Sequence, residues 1–576
     1  MTPSSQPVVA YFSMEIALET GLPTYSGGLG VLAGDTLRSC ADLGLGVCAV
    51  TLVHRKGYFQ QAIAPDGSQQ EQPDPWRPEQ HLESLEPRVK VELAGVPVQV
   101  RAWRYRIRGE NGSHVPVYLL DTDLPENGAE QRQLTDRLYG GDVGYRLAQE
   151  ALLGIAGIRM LRALGHTGLE RFHLNEGHAA LAIPELLEEE LAASPDDADG
   201  AAERVRSRCV FTTHTPVPAG HDRFPAKLVS ELLPDHALRL AGIGAGDELN
   251  MTELALRNSY FVNGVAMRHG EVSRGMFPGY PIRSITNGVH TATWASPPFR
   301  ELFDRHVPHW RSDPFSLRRV TAIDLEEIAH AHARAKQLLL DEVRERVGRR
   351  LDPQALTLGF GRRATSYKRA LLVLSDRERL EQIARTVGPL QLVYGGKAHP
   401  RDAEGRAIIR EIHTRAARLG SDVRVVFLPG YDMEVCGRLV AGCDVWLNTP
   451  IPPLEASGTS GMKAALNGVP SLSTIDGWWV EGCEEGVTGW AIGCDGDARR
   501  LEPHERDHDH ADALYAKLES VVAPCFYGDA ERFAEIRRQT IALNASYFHS
   551  HRMVLEYLFE AYHLERSADR LARTPG

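Results

Sequence analysis

The stretch from Glu455 to Asp476 reads EASGTSGMKAALNGVPSLSTID, and the rest of the chain is organised around it. Small residues, Ala456 to Gly461, precede a short helical run from Met462 to Leu466, which Asn467-Gly468 closes. Glycine, serine and threonine ahead of a helix leave backbone N–H groups and hydroxyls at its positive end, which suits a bound phosphate. Lys463 falls in the expected first turn, where a partly desolvated amine could meet a carbonyl cofactor held by that phosphate. Taken alone, the same lysine also reads as an ordinary helix-surface residue.

Working outward, the chain alternates apolar runs with helical ones. VVAYFS (8–13), VCAVTLVH (47–54), VPVYLLDTD (115–123), RFHLNEGH (171–178) and RCVFTTHTP (208–216) read as strands ending in polar clusters. A second series follows: LTLGFGRR (356–363), LQLVYGGK (390–397), VRVVFLPGYD (423–432), CDVWLNTP (443–450) and PSLSTID (470–476). Between the first two strands, SGGLG (26–30) predicts a tight loop, with a helix from Val31 to Leu43. Further helices are expected over Ala179–Leu191, Ala331–Val347 and Tyr547–Leu571. Buried apolar strands with intervening helices predict parallel sheets. The expected fold class is therefore α/β, with two Rossmann-like domains facing across a cleft. The expected division is 1–298, 299–546, and a C-terminal helix over 547–576 returning to the first domain.

The 576 residues are 43% hydrophobic and 24% charged, ordinary for a globular chain of more than one domain. A formal net charge of −12 leaves no basic surplus for a nucleic-acid partner. Eight cysteines carry no CxxC pair, and no stretch approaches a membrane span, so a soluble cytoplasmic protein is expected. His504–Asp512 (HERDHDHAD) is rich in metal-ligand types but has no partner cluster, and no metal is expected.

Five stretches, in order along nearly the whole chain, resemble the glycogen (α-glucan) phosphorylases of glycosyltransferase family 35, in their short bacterial form. They are the stretch at Lys463, FHLNEGHAALAIPEL (172–186), THTPVPAGHDRF (213–224), TNGVHTATW (286–294) and GRRATSYKRA (361–370). The resemblance implies a GT-B fold and pyridoxal 5′-phosphate (PLP) carried by Lys463. It implies PLP-dependent phosphorolysis of α-1,4-glucans, maltodextrin or glycogen, by inorganic phosphate, giving α-D-glucose 1-phosphate with retention. The cofactor phosphate then exchanges a proton with the substrate phosphate.

By the same resemblance Arg363 and Lys368 bind the substrate phosphate, and Arg362 replaces a lysine that helps hold the cofactor phosphate. Gly27, Trp294, Tyr431, Gly458, Thr459 and Ser460 surround the cofactor. His214 positions the glucosyl unit. Gly28, Leu29, Asn287, Tyr367, Glu455, Ala456, Ser457 and Gly458 contact substrate. Bottom-up, two anions side by side need several cations in one pocket, which Arg362, Arg363 and Lys368 could supply. His214 also reads as a core histidine, Asn287-Gly288 as a turn, Glu455 as a helix cap and Tyr431 as packing. Ser460-Gly461, Ser366 and Asp432 depart from the long enzymes, and Asp432 leaves the cofactor-phosphate shell open.

The alternative is a GT-B glucosyltransferase using a nucleotide sugar, like glycogen or starch synthases. Those place a second glutamate where Lys463 stands and a lysine before their GGL loop; this chain reads TYSGGLG (24–30). A homo-oligomer is left open.

Overall fold

The computed structural model describes residues 7–217, 220–233, 247–493 and 503–563. Two large sheets carry the fold. In spatial order the first holds Ile282–Ser284, Phe261–Gly264, Cys209–Thr212, Arg171–Asn175, Val9–Phe12, Val47–Leu52 and His114–Asp121, all parallel. An antiparallel pair, Val96–Arg108 and Glu83–Leu93, extends one edge. The second sheet is wholly parallel: Val423–Leu428, Leu390–Gly395, Leu356–Gly361, Val445–Asn448, Ser471–Thr474 and Gly489–Ile492. Strands such as Val9–Phe12, Val47–Leu52 and Leu356–Gly361 are buried at every residue, because helices cover both faces.

In both sheets the chain starts in the middle, builds outward one way, then returns and builds the other way. The direction reverses between Val9–Phe12 and Arg171–Asn175 in one sheet, and between Leu356–Gly361 and Val445–Asn448 in the other. At such a point the loops leaving neighbouring strands diverge and open a crevice at the carboxyl ends.

Two side-chain amides strap the units together from the small hairpin Gln60–Ile63/Gln69–Gln72. Gln61 donates to Gly396 O (2.8 Å) and accepts from Gly430 N (3.0 Å). Gln69 donates to Ala398 O and accepts from Ala398 N, both at 2.9 Å.

The described end of the chain lies against the first sheet. Asn263 donates to Tyr557 Oη (2.9 Å), Tyr562 Oη lies 2.6 Å from His173 Nδ1, and Tyr557, Leu558 and Ala561 join the core beside Tyr11 and Ala49. Of the helix expected over 547–571, Ser550–Glu556 and its π-helical continuation Tyr557–Tyr562 are seen; the remainder lies outside the described residues. No helix among the described residues is long and apolar enough to cross a membrane.

Three expectations need correction. The helix after the glycine loop begins at Gly28, not Val31. A Cβ on Gly30 would stand 2.6 Å from Tyr25 Cβ, and one on Gly34 2.2 Å from Ala17 O, so close packing places glycine inside this helix. The helix at Lys463 begins at Thr459 behind left-handed Gly458 (φ +88°), which puts the lysine in its second turn. The helix expected from Ala331 begins at Leu325.

Candidate active site

The carboxyl ends of both switch points open into one cavity of about 790 Å³. From the first sheet come Glu15, just beyond Val9–Phe12, and Glu176, just beyond Arg171–Asn175; from the second come Arg362 and Arg363, directly after Leu356–Gly361. Two helices also start at the wall, Gly28–Asp42 and Thr459–Leu466. The N–H groups at their first turns add positive potential to the wall. Eight cationic side chains face six carboxylates around the lining, so the space favours anions.

Every residue assigned from the sequence lines this cavity: Gly27, Gly28, Leu29, His214, Asn287, Trp294, Arg362, Arg363, Tyr367, Lys368, Tyr431, Glu455, Ala456, Ser457, Gly458, Thr459, Ser460 and Lys463. Lys463 is 4% exposed, and its Nζ stands 3.9 Å from the centre of the Trp294 ring. The indole is fixed in turn by donating from Nε1 to Asp35 Oδ2 (2.8 Å). No carboxylate among the described residues pairs with the lysine.

Glu455 instead serves two other cations. Its Oε2 accepts from Arg362 Nη1 at 2.5 Å and from Lys368 Nζ. Burial disfavours this carboxylate's charge, but Lys368 and Arg362 outweigh it and hold its pKa below the usual glutamate value. Arg362 Nη2 also donates to Ser460 Oγ (3.2 Å), joining the strand-end loop to the helix of Lys463. Tyr431 Oη donates to Gly361 O (3.2 Å), over a strand whose Gly361 leaves space for the ring: a Cβ there would lie 2.6 Å from Oη. Asp432 caps the helix Met433–Gly442 through Val435 N (2.9 Å) and also lines the cavity.

His214 is held by the first sheet. Asn175 donates its amide to Ser13 Oγ (3.1 Å), which turns its carbonyl oxygen towards His214 Nε2 at 2.6 Å and sets the ring proton there. Burial pushes the His214 pKa down to about 3, so the ring is neutral near pH 7.

Two glutamates escaped the sequence reading. Glu15 accepts from Ser26 N (2.5 Å), Gly27 N (3.2 Å) and Tyr139 Oη (2.9 Å), and so fixes the glycine loop. Glu176 sits at φ +84°, rare for a residue with a side chain, and accepts from His214 N (2.7 Å), Gly177 N (2.9 Å) and Thr215 Oγ1 (3.0 Å). Such backbone strain at a cavity wall is a mark of a built site.

Four buried polar atoms at the wall lack any hydrogen-bond partner: Arg362 Nε, Asn287 Oδ1, Ser457 Oγ and Thr365 Oγ1. Orphans of this kind are costly unless a ligand or water meets them. The His504–Asp512 run, in contrast, is structural rather than a solvated lead-in: Asp507 pairs with Arg369 (2.8 Å), and buried His510 accepts from Arg369 Nη2 (2.8 Å).

Fold and site together define an α/β protein with a cation-rich cavity between two doubly wound sheets. The chain belongs to the carbohydrate phosphorylase family, whose profile matches residues 237–549. It is 40% identical to a glycogen phosphorylase of Mycobacterium tuberculosis over 632 aligned positions, covering 99% of this chain and 72% of that protein. It is 39% identical to a maltodextrin phosphorylase of Thermococcus litoralis, over 97% of this chain and 71% of that one. With a glycogen phosphorylase of Aquifex aeolicus it shares 34% identity, over 97% and 86% of the two chains.

Proposed function

We propose that the cavity carries out PLP-dependent phosphorolysis of α-1,4-glucans, releasing α-D-glucose 1-phosphate with retention. The observation that carries this reading is the juxtaposition of Lys463, buried and without a carboxylate partner among the described residues, with Arg362, Arg363 and Lys368. A lone amine for a carbonyl cofactor and a cation cluster for two phosphates are what the reaction requires. The two switch points on one cavity support a GT-B arrangement, with Rossmann-like units over 1–298 and 299–546; of the segment 547–576, the described stretch from Met553 to Tyr562 packs on the first.

The residues present fit PLP. The amine of Lys463 lies against the Trp294 ring, and Arg362 Nε and Ser457 Oγ are buried donors without acceptors. In this reading Lys463, Arg362, Thr459 and Ser460 hold the cofactor, with Gly27, Trp294, Tyr431 and Gly458 around it. When bound, its phosphate supplies an acid–base group beside the substrate phosphate.

The chain's own part is to bind, orient and exclude water. Arg363 and Lys368 clamp the incoming phosphate, and Tyr367, Ala456 and Ser457 line its approach. Glu455 keeps Lys368 and Arg362 from repelling each other while no anion stands between them. Neutral His214 can hold a sugar hydroxyl without adding positive charge near an oxocarbenium-like centre. Asn287, through its orphaned Oδ1, and Glu455 orient further hydroxyls, and Gly28 and Leu29 bring bare backbone alongside. The seven cysteines among the described residues are unpaired, which suits a reducing cytoplasm.

The test incubates the protein with maltodextrin and phosphate, assays glucose 1-phosphate and bound pyridoxal, and repeats both with Lys463→Ala. Product and cofactor in the wild type alone are expected. Absence of both from the wild type, with turnover of a nucleotide sugar, would replace phosphorolysis by the glucosyltransferase reading.

A further inference from the structure

We propose that Asp42, His290 and His551 form a binding site for one divalent transition-metal ion of the Zn²⁺ class, remote in function from the cavity above. The three come from separate parts of the chain: the last residue of the helix Gly28–Asp42, the residue before the short helix Thr291–Trp294, and the second residue of Ser550–Glu556. Asp42 Oδ2 lies 2.8 Å from His290 Nε2 and 3.0 Å from His551 Nε2, and the three ligand atoms are all within 4.8 Å of one another. With bonds of ~2.0–2.2 Å, ligand atoms around a four-coordinate ion stand roughly 3.3–3.5 Å apart, so the side chains need open by only about half an ångström.

The surroundings orient two of the three ligands, while His551 Nδ1 is buried without a hydrogen-bond partner. The Asp42 carboxylate is already aimed, since its Oδ1 accepts from Glu110 N at 2.8 Å and leaves Oδ2 for the centre. His290 is aimed likewise: Nδ1 lies 2.7 Å from Thr293 Oγ1, which turns Nε2 inward. Outer partners of this kind orient ligands in established metal sites.

Access comes from a second cavity, of about 630 Å³, lined by Asp42, His290 and Thr293, which gives the ion a route in and a water as fourth ligand. Four arginines stand on its wall, Arg38, Arg104, Arg106 and Arg108; Arg104 and Arg106 share Glu83 and Arg38 pairs with Asp35, which reduces the positive field a cation meets on the way in. Two imidazoles and one carboxylate select Zn²⁺, Co²⁺ or Ni²⁺ over Mg²⁺ or Ca²⁺, which prefer all-oxygen sets. The sequence reading expected no metal, having weighed only the His504–Asp512 run; the three residues here lie 248 and 261 positions apart, and no local spacing announces them.

The full-length protein, as purified with any cofactor it carries, is stripped with a chelator and titrated with Co²⁺. Bound metal and the visible d–d spectrum are measured beside Asp42→Asn and His551→Gln. The expected result is one equivalent with a four- or five-coordinate N/O spectrum in the wild type, reduced at least tenfold in both variants. Asp42→Asn keeps an acceptor oxygen and so preserves the fold if His551→Gln does not. Less than a tenth of an equivalent in the wild type, or binding that both variants retain, overturns the site and leaves a hydrogen-bonded triad only. Neither readout depends on phosphorolysis.

Discussion

Alanine at two neighbouring glycines separates ligand binding from folding within one turn of helix. A Cβ on Gly28 meets no atom within 4 Å and the residue lines the active cavity, so the methyl group fills space reserved for ligand. A Cβ on Gly30 would lie 2.6 Å from Tyr25 Cβ and 2.8 Å from Glu15 Oε2, so the helix or the carboxylate must shift. Overpacking of that kind costs about 1–3 kcal/mol, offset by at most ~1 kcal/mol from alanine's better helix propensity. Gly28→Ala is thus expected within ~0.5 kcal/mol of wild-type stability, while kcat/KM for phosphorolysis falls by roughly 10–200-fold, the effect of one misplaced methyl in a fitted pocket. Gly30→Ala is expected to lose stability and, through the displaced Glu15, the anchor of the loop. Urea denaturation and glucose 1-phosphate production on the same preparations give both quantities. A Gly28→Ala enzyme with wild-type kinetics, or a Gly30→Ala enzyme as stable as wild type, refutes the reasoning.

Other expectations follow from single contacts. Asp444 is a buried hub that accepts from Lys336 (2.6 Å), Arg537 (2.8 Å), His332 (3.0 Å) and Thr357 N (2.9 Å); Asp444→Asn strands buried cations and should cost about 3–5 kcal/mol in denaturant melts. Arg363→Ala should raise KM for phosphate much more than KM for glucan; equal changes would remove Arg363 from the phosphate site. Burial pushes His54 and His269 down to about 4 and His173 and His214 to about 3, from an ordinary 6.5. The unfolded chain takes up these protons first, so their stabilisation is complete above pH 6.5 and is lost as pH falls towards 3–4. Each contributes a slope of about 1.4 kcal/mol per pH unit in that window. Denaturation midpoints that stay flat from pH 7 to 5 would contradict it.

The parallel strands were legible because burial on both faces demands unbroken apolar runs, as in VAYF and LTLGFG. The antiparallel pair Glu83–Leu93 and Val96–Arg108 was not, because alternate residues such as Glu86, Arg88 and Lys90 face outward and Pro87 interrupts the pattern. The helix start at Gly28 was misplaced because glycines inside the helix, Gly30 and Gly34, answer to packing rather than propensity. The site residues were named through resemblance, and local chemistry alone left each with a bland reading. Glu15 and Glu176 carry no local signature: one holds amides 11 and 12 residues away, the other an amide 38 residues away. Strand order supplies the missing signal, since both follow the two strands that flank a switch point.

The packing of Tyr557 and Tyr562 onto the first sheet also governs how the protein can be made. Asn263 waits 294 residues for its partner Tyr557. At roughly 5–20 residues per second, that is on the order of 15–60 s of synthesis. Throughout that interval the first unit is on the ribosome with the core around Tyr11 and Ala49 uncovered, an apolar surface open to chaperones or to aggregation. The first unit is therefore finished last, and loss of the C-terminal helix would cost the N-terminal half its solubility before it cost the cavity any residue.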